Sequence, residues 1–129
     1  MPTAYYDSSA LVKLILDEPD SVALRAYVRR GPPGISCALV RTEVVRVFRE
    51  QSADAIRHAR ETLGEMELLE LDDDLLDAAA LLPAPVRSLD AIHLAAALSL
   101  GSELSALVTY DERMARAARE LGLEVVSPR

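Results

Sequence analysis

Apolar and polar positions follow two rhythms along this chain. Short, nearly unbroken apolar runs alternate with longer stretches in which apolar residues return every three to four positions. The runs Thr3 to Tyr6, "ISCA" from Ile35, "ELLEL" from Glu67, "SALVTY" from Ser105 and "LEVVS" from Leu123 predict five short strands. Helical spacing predicts helices over "SSALVKLILDE", "PDSVALRAYVRR", Leu39 to Gln51, Asp54 to Leu63, "DDDLLDAAALL", "LDAIHLAAALSLG" and "DERMARAAREL". In the second of these, Val22, Leu24, Tyr27 and Val28 form the apolar face. In the third, Val40, Val44, Val47 and Phe48 form the stripe. Ser88 is placed to cap the sixth, while "GPPG" from Gly31 to Gly34 and "PAP" from Pro83 to Pro85 punctuate the chain.

Strand and helix alternate throughout, so the expected fold is α/β, with about five mainly parallel strands and helices on both faces. Each parallel crossover needs a connection long enough to be a helix. No internal boundary or repeat divides the 129 residues, which are expected to form one domain over 1–129.

Composition narrows the chemistry. A lone Cys37 excludes an internal disulfide, and with only His58 and His93 beside it a structural zinc site lacks ligands. No basic segment followed by an apolar stretch opens the sequence, and "AIHLAAALSLGS" falls short of a membrane span. A soluble, cytoplasmic protein without membrane contact is the expectation. Net charge is −7, yet the strip "EMELLELDDDLLD" from Glu65 to Asp77 holds seven acids and no base, leaving 14 acids against 14 Lys and Arg elsewhere. The acidic total weakens the case for a phosphate-binding surface, but the excess is confined to one strip.

Four acids fit their surroundings poorly. Asp7 and Asp111 each follow a predicted strand, where open α/β sheets form their ligand crevice. If the first and fourth strands are neighbours, the two face one crevice. Glu43 joins Val40, Val44 and Val47 in an i, i+3, i+4, i+7 series and so lies on or beside the core stripe. Asp90 opens a helix that is apolar nearly all round, with His93 one turn further on. Each also has a purely structural role open to it. Asp7 and Asp111 suit N-caps, Asp90 suits the positive end of a helix, and Glu43 suits an ion pair with a nearby arginine. His93 suits a packed, hydrogen-bonded histidine. Were the acids to converge, two carboxylates about 4 Å apart would repel by about 4 kcal/mol at an effective dielectric near 20, and a divalent cation would offset that. Mg²⁺ or Mn²⁺ suits all-oxygen sites and promotes phosphodiester hydrolysis.

The segments "YYDSSALVKL", "VRTEVVRV", "SLDAIHLAAAL" and "LVTYDERMARAARELGLEV" lie in that order across nearly the whole chain. Together they resemble the PIN-domain ribonucleases, and within them the VapC-type toxins of bacterial toxin–antitoxin pairs. The resemblance implies a three-layer α/β/α sandwich that cleaves RNA with Mg²⁺ or Mn²⁺. It implies Asp7 and Asp90 as metal ligands, with Asp111 completing the site or holding a second ion. Glu43 would hold or orient the attacking water, with Ser8, Ser9 and Thr109 supporting the pocket. Arg41, Arg46, Arg49, Arg87, Arg113 and Arg116 are candidates for phosphate contact. A homodimer and a VapB-type antitoxin partner, whose tail lies across the pocket, follow from the same likeness. An inactive PIN-like binding module is the alternative.

Other classes fit less well. A haloacid-dehalogenase-like phosphatase needs an aspartate where Ser9 stands, and a response-regulator receiver needs an acidic pair after the first strand. Gly-rich nucleotide loops are absent, as is the elbow that a Ser-His-Asp hydrolase built from Ser8 or Ser9, His93 and Asp90 would need.

Overall fold

The structure, a computed structural model, describes residues 2–129. Among them, five strands form one parallel sheet: β1 (Thr3–Tyr6), β2 (Gly34–Cys37), β3 (Glu67–Leu69), β4 (Leu104–Val108) and β5 (Val125–Val126). Their order is β3-β2-β1-β4-β5. Seven α-helices connect them: α1 (Ser8–Ile15), α2 (Ser21–Arg30), α3 (Val40–Phe48), α4 (Ala53–Gly64), α5 (Asp73–Ala80), α6 (Ser88–Ser99) and α7 (Glu112–Glu120).

The period-2 geometry of the strands divides the core in two. On one face Ala4, Tyr6 and Val108 pack with Leu11, Leu24, Val40, Val44, Phe48 and Leu63 from α1 to α4. On the other, Tyr5, Ile35, Cys37 and Leu107 pack with Leu75, Leu94, Met114 and their neighbours from α5 to α7. Each fully buried leucine contributes about 1.5–3 kcal/mol of transfer free energy, so neither layer is dispensable. The chain runs from β1 outward through β2 to β3, then returns to place β4 on the other side of β1. The adjacency on which a shared crevice depends is therefore present: Ala4, Tyr5 and Tyr6 pair with Ala106, Leu107 and Val108.

Several sequence expectations need correction. Ser88 does not cap α6. Arg87, extended at φ −71° and ψ 162°, occupies the cap position and makes no side-chain bond there, while its carbonyl accepts from Ala91 N–H at 2.9 Å. Val22 and Val28 are 73% and 41% exposed, because α2 turns Leu24 inward and sends Arg25 back to the carbonyls of Leu14 and Leu16 at the end of α1. Val47 is likewise outside the α3 stripe, at 48% exposure. Gly34 opens β2 instead of ending a turn. A Cβ there would meet the Tyr6 ring at 2.9 Å, so the close packing of the Tyr6 ring favours glycine.

Candidate active site

Asp7 is the last residue before α1 and is 2% exposed. Its Oδ1 accepts from Ala10 N–H at 3.0 Å, the ordinary N-cap bond. Capping alone does not account for the remaining contacts. Ser9 donates its hydroxyl to Oδ1 at 2.6 Å, and Thr109, fully buried just past β4, donates its own to Oδ2 at 2.5 Å. Ser9 Oγ also accepts from Tyr110 N–H at 2.9 Å, and Thr109 Oγ1 accepts from Asp111 N–H at 3.1 Å. Two hydroxyls thus tie the ends of β1 and β4 together around one carboxylate. The backbone past β4 is fastened from outside as well, since Ser127 donates to the Thr109 carbonyl and Tyr110 to that of Pro128. Burial pushes the Asp7 carboxyl above the usual carboxylate range, opposed by the bonds from Ser9, Thr109 and Ala10.

Asp111 caps α7, accepting from Arg113 N–H at 2.8 Å and Met114 N–H at 3.1 Å. Asp90, in the first turn of α6, is raised by burial and next by the charge of Asp111, with Glu43 adding to it; His93 and Arg87 pull the other way. These effects place Asp111 and Glu43 each within electrostatic reach of Asp90. Asp7 joins them through Thr109 and through the charge of His93.

Glu43 lies in the first turn of α3 with its side chain 20% exposed. Its partner is His93, whose Nε2 stands 2.7 Å from Oε1, not an arginine on its own helix. The ring of His93 is 1% exposed and is held on its other side by Tyr5 Oη, 2.8 Å from Nδ1, with Cys37 Sγ at 3.8 Å. Burial favours the neutral imidazole, but the bonds to Cys37 and Glu43 outweigh it and push His93 up to about 10. Cys37 moves oppositely: burial raises its thiol, while the bond to His93 and its charge bring it below the ordinary value. The expectation of a packed, hydrogen-bonded histidine is met. Tyr5 and Cys37 were not singled out from the sequence as its anchors; the alternation of Tyr5 and Tyr6 across the strand was the available signal.

Ser9 and Thr109 thus bond to Asp7, whereas Ser8 lies on the wall of an adjoining hollow of about 690 Å³ with Val12, Glu43, Arg46 and Leu89. Arg46 borders that hollow, Arg87 acts on Asp90, and Arg116 shares a cleft with Asp111. Arg41 instead faces a separate cleft with Arg60, and Arg49 pairs with Glu50 at 3.8 Å. Arg113 is exposed at the start of α7.

Among the described residues, no group of three or more His, Cys, Asp and Glu side chains forms an arrangement that could hold a metal ion. The donor chemistry nevertheless suits a hard divalent cation. The acids offer only oxygen, Asp90 is raised partly by its acidic neighbours, and Mg²⁺ is commonly held by one or two carboxylates with water completing its shell.

The PIN domain model matches residues 4–120, and the chain belongs to that family. Among its relatives, Ribonuclease VapC46 of Mycobacterium tuberculosis is 47% identical over 129 residues, covering 99% of both chains. Ribonuclease VapC47 of the same species is 38% identical over 130 residues, covering 96% of each. Two solved structures share the fold. The sarcin-ricin loop cleaving toxin VapC20 of M. tuberculosis superimposes with a TM-score of 0.78 at 16% identity, over 97% of this chain and 99% of that one. A chain of a toxin-antitoxin complex from Klebsiella pneumoniae gives 0.77 at 19% identity, over 98% of each.

Proposed function

We propose that this protein is a Mg²⁺- or Mn²⁺-dependent endoribonuclease, a VapC-type toxin held in check by a VapB-type antitoxin. The observation that supports the proposal is that Asp7 and Asp111 follow the neighbouring strands β1 and β4, while Asp90 feels the charges of both Asp111 and Glu43. The relatives named as ribonucleases, alike over the whole chain, support the choice of RNA.

Asp7, Asp90 and Asp111 would hold the cation, which would have to draw their side chains together, since no three of the described acids stand as a ligand set without it. When bound, it polarises a phosphoryl oxygen of the RNA and lowers the pKa of water. The chain's own groups do the rest. Ser9 and Thr109 fix both oxygens of Asp7, so that carboxylate meets its ligand with little loss of freedom. Glu43 would orient the attacking water, which gives up a proton to solvent as its oxygen bonds to phosphorus; the bond from phosphorus to the leaving oxygen breaks, and that oxygen takes a proton back from solvent. Arg46, Arg87 and Arg116, each beside one of these acids, would offset the charge of the RNA backbone.

The hollow beside Glu43 has an apolar rim, with Val47 and Leu89 each 48% exposed, and would receive the antitoxin's tail. A homodimer would extend the weakly basic track across two subunits. No helix among the described residues is long and apolar enough to cross a membrane, and a cytoplasmic location accords with an RNA substrate.

The test is cleavage of end-labelled RNA of mixed sequence with Mn²⁺, with and without chelator. Cleavage that chelator stops, and that Asp7→Asn reduces by about 10²–10³-fold, is expected for a group acting on developing charge. A parent as inert as Asp7→Asn would instead favour an inactive binding module.

A further inference from the structure

Resting on that nuclease reading, we propose that His93 is a positioning residue, which clamps the Glu43 carboxylate in one orientation and is itself aimed by Tyr5. Four elements meet here: Tyr5 from β1, Cys37 from β2, Glu43 from α3 and His93 from α6. A free glutamate has three side-chain torsions and samples many rotamers. The 2.7 Å bond to Nε2 removes that freedom from Oε1 and leaves Oε2 outside the bond, on a side chain that remains 20% exposed and lines the hollow shared with Ser8 and Arg46.

The clamp is rigid because its base is buried. His93 is 1% exposed and Tyr5 and Cys37 are fully buried, so the imidazole cannot swing towards water. Tyr5 Oη fixes one ring nitrogen and thereby directs the other at Glu43. Its ring also meets the imidazole edge-on, with centroids 5.9 Å apart and planes at 70°. A leucine at this position would occupy similar space among Leu94, Ala95 and Ala96 without requiring any partner. What it would lack is the N–H aimed at the carboxylate.

The experiment is a double-mutant cycle on metal-supported cleavage of the mixed RNA pool, with crystal structures of the metal-free variants. His93→Leu is expected to lower kcat about 10–100-fold with KM within about twofold of the parent, the scale of a misplaced group. His93→Gln, whose amide can donate near the former Nε2, should restore most of that loss. In a Glu43→Ala background, His93→Leu should cost less than about twofold, because a residue acting through Glu43 has nothing left to position. The Glu43 side chain should occupy several conformers in His93→Leu and one in His93→Gln. An equal loss in both backgrounds, or a Glu43 that stays fixed in His93→Leu, overturns the inference while leaving the nuclease reading intact. A parent that cuts no RNA overturns both. Should His93→Leu fail to fold, Tyr5→Phe takes its place in the cycle, with an expected kcat loss of about threefold that likewise vanishes in Glu43→Ala.

Discussion

Seven acids crowd the strip from Glu65 to Asp77 and every one is exposed, whereas Asp7 and Asp111 at strand ends and Glu43 and Asp90 in the first turns of α3 and α6 are not. The strip carries more charge and the smaller local burden. Water screens its carboxylates from each other, and the one with a defined structural task, Asp72, caps α5 by accepting from Leu75 N–H at 2.9 Å. Among the other four, burial raises Asp7 and Asp90 above the usual carboxylate range, and Asp111 adds repulsion to Asp90. Acids matter chemically through what surrounds them, and a count of charges along the sequence points to the wrong region.

The contrast can be broken most forcefully with metal. Mn²⁺ at a hundred times its dissociation constant should stabilise the parent by about 2.7 kcal/mol, and calorimetry should show that gain lost in Asp90→Asn. The same stabilisation surviving in Asp90→Asn, but vanishing when strip acids are neutralised, would reverse the assignment of the two regions. A smaller effect belongs to the strip itself. Asp72→Ala should cost about 1 kcal/mol in urea unfolding through loss of the α5 cap. Neutralising Glu65, Glu67, Asp73 and Asp77 together should change stability by no more than about 0.5 kcal/mol.

Smallest is the pH response of the metal-free protein. Asp7 and Asp90 hold their protons more tightly folded than unfolded, so their contribution to stability is greatest below the ordinary carboxylate pKa. It should fall as pH rises from about 4 through the raised values. Asp90 is only partly buried, so its share is discounted for screening. Asp90→Asn should make the fall shallower and raise the neutral-pH Tm by roughly 2 °C. A steeper fall, or a lower Tm, would remove repulsion as the feature that separates the two regions.

The parallel sheet was readable because its buried strands are short apolar runs and its crossovers keep helical spacing. All five strands lie within about two residues of their predicted ends, β5 being the most shortened relative to "LEVVS". Glu43 declared itself as an acid beside a core stripe, and Asp7 and Asp111 as acids at strand ends. The partner of Glu43 was not legible, since His93 lies 50 positions away and only the packing of α6 against β2 and β4 brings the two together. Val22 and Val28 misled for a related reason. Their spacing fits a helix face, but the orientation of α2 is decided by Leu24 and by the reach of Arg25 to α1.

The bond between Thr109 and Asp7 spans 102 positions of chain. A polypeptide leaving the ribosome at roughly 5–20 residues per second therefore exposes Asp7 long before the hydroxyl that secures it has been translated. Until β4 emerges, β1 has only β2 to pair with, and Asp7 has the hydroxyl of Ser9 but neither that of Thr109 nor Asp111 beyond it. Any nascent or prematurely terminated chain that stops before Thr109 lacks that hydroxyl and Asp111 beyond it, and the cell that makes the protein meets the full set of acids only once synthesis has passed that point.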